Sequence, residues 1–156
     1  MNDIGVDIDA KYLVAKISRD GARQALAQFD NTADGHRKFI QWATRAGSSA
    51  RVCCEATGVY GQQFALALHR AARIEVMVVN PKAIRKFAEA MLTRGKTDLI
   101  DAEVILEYLQ RMAFKAWQAP SEEVLEIQAL SRHLLALTVQ RTRERNQLHA
   151  GSTAVR

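Results

Sequence analysis

Asp98 and Asp101 stand three apart in "KTDLIDAEVI" (96–105), a run that otherwise reads as a helix facing a core. On a wheel advancing ~100° per residue, Glu103, Gln110, Glu107 and Arg111 form the solvent stripe. The two aspartates fall about 60° apart in the opposite arc, among Leu99, Ala102, Ile105, Leu106 and Leu109. An ionised carboxylate facing a core costs several kcal/mol, roughly, unless it is paired or bound to a cation. As a first-turn residue complementing the helix dipole, Asp98 has an ordinary explanation; Asp101 does not. Two further carboxylates belong with them. Strand alternation in "DIGVDIDAK" puts Ile4, Val6 and Ile8 on one face and Asp7 with Asp9 on the other. "CCEATGVY" ends an apolar strand at Glu55. Parallel strands present their carboxyl ends on one sheet edge, so Asp7, Glu55, Asp98 and Asp101 are expected to converge there. Four hard oxygen donors with no His or Cys ligand set suit Mg²⁺ or Mn²⁺. Two such ions, ~3.5–4 Å apart, stabilise the attacking and leaving oxygens of a phosphoryl displacement.

The elements that must position these groups are legible from pattern. "IGVDI" (4–8) and "YLVAKIS" (12–18) read as strands, and Asp20-Gly21 as a hairpin turn into a third strand near "QALAQFD". Residues 32–46 read as an amphipathic helix stopped by Gly47. "RVCCEA" is a buried strand, "GVYGQQFALALHRAAR" a helix with Tyr60, Phe64, Leu68 and Ala71 on one side, and "IEVMVVN" another strand. Asn80-Pro81 opens a helix whose buried stripe is Ile84, Phe87, Ala88 and Met91. Thr97 is placed to cap the aspartate helix, and Pro120-Ser121 opens a last long helix. Three hairpin-linked strands followed by two strands reached through helices predict an α/β fold. Its mixed sheet, flanked by helices, has the ribonuclease H-like order, and a long C-terminal helix follows.

The remaining features bound the function. The 156 residues favour one domain, and a net charge of +5 favours an anionic partner, nucleic acid being the commonest. No apolar run approaches the ~20 residues of a membrane span, and no secretory core opens the chain. Adjacent Cys53 and Cys54 lack metal-site spacing and read as reduced, buried thiols of a cytoplasmic protein. Lys82, Arg85, Lys86, Arg94 and Lys96 lie between the last strand and the aspartate helix, against one acid, Glu89. They are either a solvated face or cations that neutralise phosphates beside the metal. The last helix carries Ile127, Leu130, Leu134 and Leu137 before turning basic. That stripe serves packing on the chain's own sheet or pairing with a second copy, and two heptads do not decide.

"GVDIDAK", "EATGVYG", "VVNPKAIRKFA" and "KTDLIDAEVI" resemble the N-terminal domain of the IS110-type (DEDD) transposases, relatives of the pilin-gene invertases. The resemblance runs from about residue 3 to 149, and its most specific blocks are E-A-T-G-V-Y and K-T-D-x-x-D-A. It implies a RuvC-like domain that binds divalent metal through Asp7, Glu55, Asp98 and Asp101, with Asp9 a neighbouring ambiguity. It further implies recombination of DNA in the cytoplasm of a prokaryote, at the nucleoid. The expected partners are insertion-element ends and target DNA, a structured guide RNA, and further copies of the chain through the C-terminal helix. Residues 1–119 would then be the catalytic domain, and 120–156 a helix leading toward a second domain that carries a nucleophile-like serine. Ser152 in "LHAGSTAVR" is not in a recognisable version of that serine motif, so a fragment or truncated copy is expected. Two rival functions remain. A non-catalytic nucleic-acid-binding remnant would share the basic segment. An actin-like or sugar-kinase ATPase would share the first hairpin, but Asp9, Ala10 and Lys11 occupy the turn where such enzymes need glycine for phosphate.

Overall fold

The first strand is apolar on one side and carries Asp3, Gly5 and Asp7 on the other. In the computed structural model, which describes residues 1–24, 26–56, 58–91 and 101–153 without the side chains of 101, 152 and 153, it becomes β1 (Asn2–Ile8). β2 (Tyr12–Arg19) returns antiparallel, pairing Asp7 with Val14 and Ile8 with Leu13. At Asp20 and Gly21 φ is 49° and 81°, the left-handed pair that a two-residue hairpin needs. The turn delivers β3 (Ala22–Arg23), with Arg19 opposite Ala22. The single third strand expected from sequence is instead broken into β3 and β4 (Ala27–Asp30), both paired to β2.

α1 (Ala33–Ala43) is capped by Thr32, whose hydroxyl accepts from the Gly35 amide at 3.2 Å. It ends before the expected Ala46, because a short 3-10 turn (Arg45–Gly47) with positive φ at Ala46 and Gly47 intervenes. β5 (Ala50–Glu55) then runs parallel to β1, and α2 (Gly58–His69) leads back to β6 (Ile74–Val79), parallel to β5. α2 stops at His69, short of Arg73, where φ turns positive at 66°. α3 (Pro81–Met91) starts as its sequence specifies, with the Asn80 side chain accepting from the Lys82 amide at 2.9 Å. α4 is Asp101–Arg111 and α5 is Glu122–Thr153. The sheet order is β3-β2-β1-β5-β6, with β4 also on β2. This is the ribonuclease H-like order expected from the sequence.

The sheet sorts its side chains by strand alternation. Ile4, Val6, Ile8, Leu13, Val52 and Cys54 pack against Phe39 of α1 and Phe64 of α2. On the other face Cys53, Met77 and Val79 pack against Ile84 of α3 and Ile105 and Leu109 of α4. The backbone contacts divide the chain into two units, Met1–Gln118 and Ala119–Arg156. In the second, the Ser121 hydroxyl accepts from Val124 at the head of α5. Ile127, Leu130 and Leu134 on α5 are each more than 60% exposed among the described residues. Among the described residues no helix is long and apolar enough to cross a membrane.

Candidate metal centre and nucleic-acid interface

β1 and β5 bring two of the four carboxylates together. Their last registered pair is Val6 with Cys54, and Asp7 and Glu55 follow one residue on in each strand. Adjacent strands lie ~4.8 Å apart. Both acids share the face that carries Gly5 and Cys53, opposite the main core, and both are half-buried. Glu55 in turn pairs with Val79, after which Asn80 begins α3. The carboxyl ends of three parallel strands therefore run in the order Asp7, Glu55, then the start of α3.

α4 reaches this edge because β1 has no side chain at residue 5. A Cβ built on Gly5 would lie 2.2 Å from the Leu106 nitrogen and 2.3 Å from the Ala102 oxygen. Helix backbone thus rests directly on strand backbone, one residue from the start of α4 at Asp101. Sequence reasoning passed over Gly5, although an isolated glycine inside a strand signals such an approach. The outer side of α4 is held by the hairpin. Arg23 of β3 forks to Glu103 at 3.0 Å and to Glu107, whose second oxygen takes Arg111 Nε at 2.7 Å. Glu103 and Glu107, expected to be solvated, are half-buried in this ion-pair cluster. No local pattern could have revealed it, since Arg23 comes from a different element far away in sequence.

Asp101 is the first described residue of α4, and its side chain lies outside the described residues, as do Asp98, Thr97, Arg94 and Lys96 altogether. Among the described residues no three His, Cys, Asp or Glu groups gather as a metal site. Asp9, expected on the strand face with Asp7, lies beyond the end of β1 instead. Its Oδ1 accepts from the Lys11 amide at 3.1 Å, and its carbonyl accepts from Asn31 at 2.8 Å. That is a turn-forming role, and it occupies an amide that a phosphate-binding loop would offer to its ligand.

The thiols stay protonated. Burial, then the charge of Glu55, pushes Cys53 up to about 12, and burial pushes Cys54 higher still. Neither is a competing ligand for a soft metal, and the remaining donors are hard oxygens. The residues present therefore fit Mg²⁺ or Mn²⁺.

Lys82, Arg85 and Lys86 are exposed on α3, while Ile84 is buried and Phe87 packs edge-on against Tyr108 of α4 at 5.2 Å. Among the described residues no ion pair neutralises these three cations. Met91, expected in the buried stripe, is 42% exposed at the end of the helix.

Comparison with known proteins decides the family. The DEDD, IS110-type transposase model matches residues 4–151. The chain belongs to the IS110-type DEDD transposases. Among solved structures this transposase domain is similar to RuvC of Thermus thermophilus, at 14% identity and a TM-score of 0.41, covering 78% of this chain and 83% of that one. It is also similar to an Aquifex aeolicus member of the Ppx/GppA family, at 13% identity and a TM-score of 0.36, covering 59% of this chain and 39% of that one. A second Aquifex aeolicus PPX-GPPA enzyme gives 12% identity and a TM-score of 0.34, with 62% and 42% covered. No curated protein matches. As a transposase, the chain has DNA as its substrate class.

Proposed function

We propose that the chain is the N-terminal catalytic domain of an IS110-type recombinase, which cuts and joins DNA strands by metal-dependent phosphoryl transfer. The observation that carries this reading is the side-by-side placement of Asp7 and Glu55 at the ends of β1 and β5, beneath a helix that opens at Asp101. Asp7, Glu55, Asp98 and Asp101 would hold Mg²⁺ or Mn²⁺. The bound ions supply charge that stabilises the attacking and leaving oxygens at the scissile phosphate. Asp7 and Glu55 come from paired strands, so their spacing is set before any metal arrives. Lys82, Arg85 and Lys86, with Arg94 and Lys96, neutralise flanking phosphates and hold the strand over the edge. Residues 1–119 are the catalytic domain in this reading. Residues 120–156, which include α5, lead toward a serine-bearing domain and join copies of the chain in this reading, and a guide RNA selects the DNA. The cell compartment is the prokaryotic cytoplasm, at the nucleoid.

Melting curves with and without Mn²⁺ test the metal site. Excess Mn²⁺ should raise the wild-type Tm by mass action, increasingly as its concentration exceeds Kd. The Asp98→Asn, Asp101→Asn double variant should melt no lower without metal, since two mutually repelling carboxylates are gone, and should lose the Mn²⁺ response. Equal responses in the two proteins would sink the site. If Asp98 merely complements the helix start, the double variant would lose about 1 kcal/mol or less and keep its response.

Salt titration tests the interface. Replacing Lys82, Arg85 and Lys86 by Ala should weaken duplex binding and reduce the log–log salt slope by roughly 0.9 per lost phosphate contact. An unchanged slope would show an ordinary solvated face.

A further inference from the structure

The chain has five Phe, three Tyr and two Trp. Every Phe, both Trp and Tyr108 are buried or half-buried. Tyr12 and Tyr60, 44% and 55% exposed, are the exceptions. Both stand at the sheet edge that carries Asp7 and Glu55. Tyr12 opens β2 beyond the Ile8–Leu13 pair, and its carbonyl accepts from the Asp9 amide at 2.9 Å. It shares a strand face with Val14, the partner of Asp7. Tyr60 lies in the first turn of α2, shortly after Glu55, with Val59 beside it 43% exposed. The stripe it begins continues into Phe64 and Leu68, both fully buried. The apolar face of α2 is therefore buried at Phe64 and Leu68 and exposed at Tyr60, in the first turn of the helix.

Single exposed apolar residues are common on protein surfaces and need no explanation. Here the two exposed tyrosines among the described residues both belong to segments that start at the sheet edge carrying the two carboxylates, where the cation-bearing helix α3 also starts. Cations suit phosphates, and flat rings suit bases. We propose that Tyr60, assisted by Tyr12, stacks on unpaired bases of a DNA strand as it passes the carboxylate edge. The inference rests on the nucleic-acid reading above and adds the state of the strand: opened rather than duplex. Bases within a duplex already cover one another's faces, whereas an unpaired base of any identity offers a π-face to a ring.

Binding of the full chain to a labelled mixed-sequence single-stranded DNA, to its duplex, and to the same sequence as RNA tests this, all in EDTA. Tyr60→Ala should weaken single-strand binding roughly 5- to 100-fold. Tyr12→Ala should weaken it less, and duplex binding should change by less than about twofold, since its bases stay stacked on one another. Tyr60→Phe should bind as the wild type does, and Tyr60→Leu, apolar without a π-face, should stay weak. Equal losses on single strand and duplex, or Leu serving as well as Phe, would overturn stacking. A loss confined to RNA would overturn DNA as the occupant. Unchanged oligonucleotide affinity with an altered oligomeric state in sedimentation would assign the rings to a second copy and overturn the proposal. The assay contains no metal. A wild type that binds single strands through Tyr60 yet shows no Mn²⁺ response would therefore retain the stacking and lose only the metal site. A normal Mn²⁺ response with indifferent Tyr60 variants would do the reverse.

Discussion

Glu55→Gln should abolish Mn²⁺-dependent DNA cleavage by the full-length protein while the metal-free domain melts at the wild-type temperature or above it. The substitution keeps the shape of a half-buried side chain at the end of β5 and removes one of two carboxylates on adjacent strands. Like charges on adjacent strands oppose each other, so losing one relieves a repulsion in the metal-free domain. In the proposed site, metal binding is expected to suffer instead. Losing a residue that merely orients a ligand costs about 10–100-fold in metal affinity, and losing a ligand itself should cost more. The thiol of Cys53 should also titrate lower in the variant, because Glu55 contributes to its elevation. Isothermal titration with Mn²⁺ and a melting curve decide the matter. A large drop in metal-free stability would make Glu55 a structural residue.

Gly5→Ala should be among the most damaging single substitutions in the domain. The added methyl would meet the Leu106 nitrogen at 2.2 Å, the Ala102 oxygen at 2.3 Å and the Leu106 Cα at 2.8 Å. All three are helix backbone, so no side chain can swing aside. Either α4 lifts or β1 bends. Overpacking a core costs typically ~1–3 kcal/mol and sometimes more, and here the upper part of that range is expected. It is a large fraction of the ~5–15 kcal/mol that holds a domain folded. The same displacement carries the start of α4 away from β1, so the folded fraction should also bind Mn²⁺ more weakly than the wild type. Urea midpoints read the first effect and Mn²⁺ titration below the transition reads the second. A shift under about 0.5 kcal/mol would be what surface substitutions produce, and would show that α4 does not rest on β1 as described.

Much of this protein is determined locally. Period-two alternation specifies β1, β2, β5 and β6, and with it the assignment of Ile4, Val6 and Ile8 to one face and Asp7 to the other. Asp20-Gly21 specifies a hairpin because both residues tolerate positive φ. Thr32, Asn80 and Ser121 specify helix starts, because each side chain satisfies an amide that the helix leaves open. Order and type of element then limit the sheet to one reasonable strand order, since strands joined through helices pair in parallel. Residue type alone is what the proposed hard-oxygen metal binding starts from.

Other features required the assembled molecule, because they join residues with no neighbourhood in sequence. The third strand breaks into two because its pairing with β2 is decided across the sheet, not along the chain. Asp7 and Glu55 become neighbours only through the register of β1 on β5. Arg23 meets Glu103 and Glu107 only once α4 lies over the sheet, and α4 lies there only because Gly5 presents no Cβ. Helical periodicity placed Tyr60 on one side of α2 with Phe64 and Leu68, but only the latter two are buried, since burial also needs a core beneath the stripe. Periodicity states which side of an element is apolar. How far along that side another element reaches is a property of the tertiary structure alone.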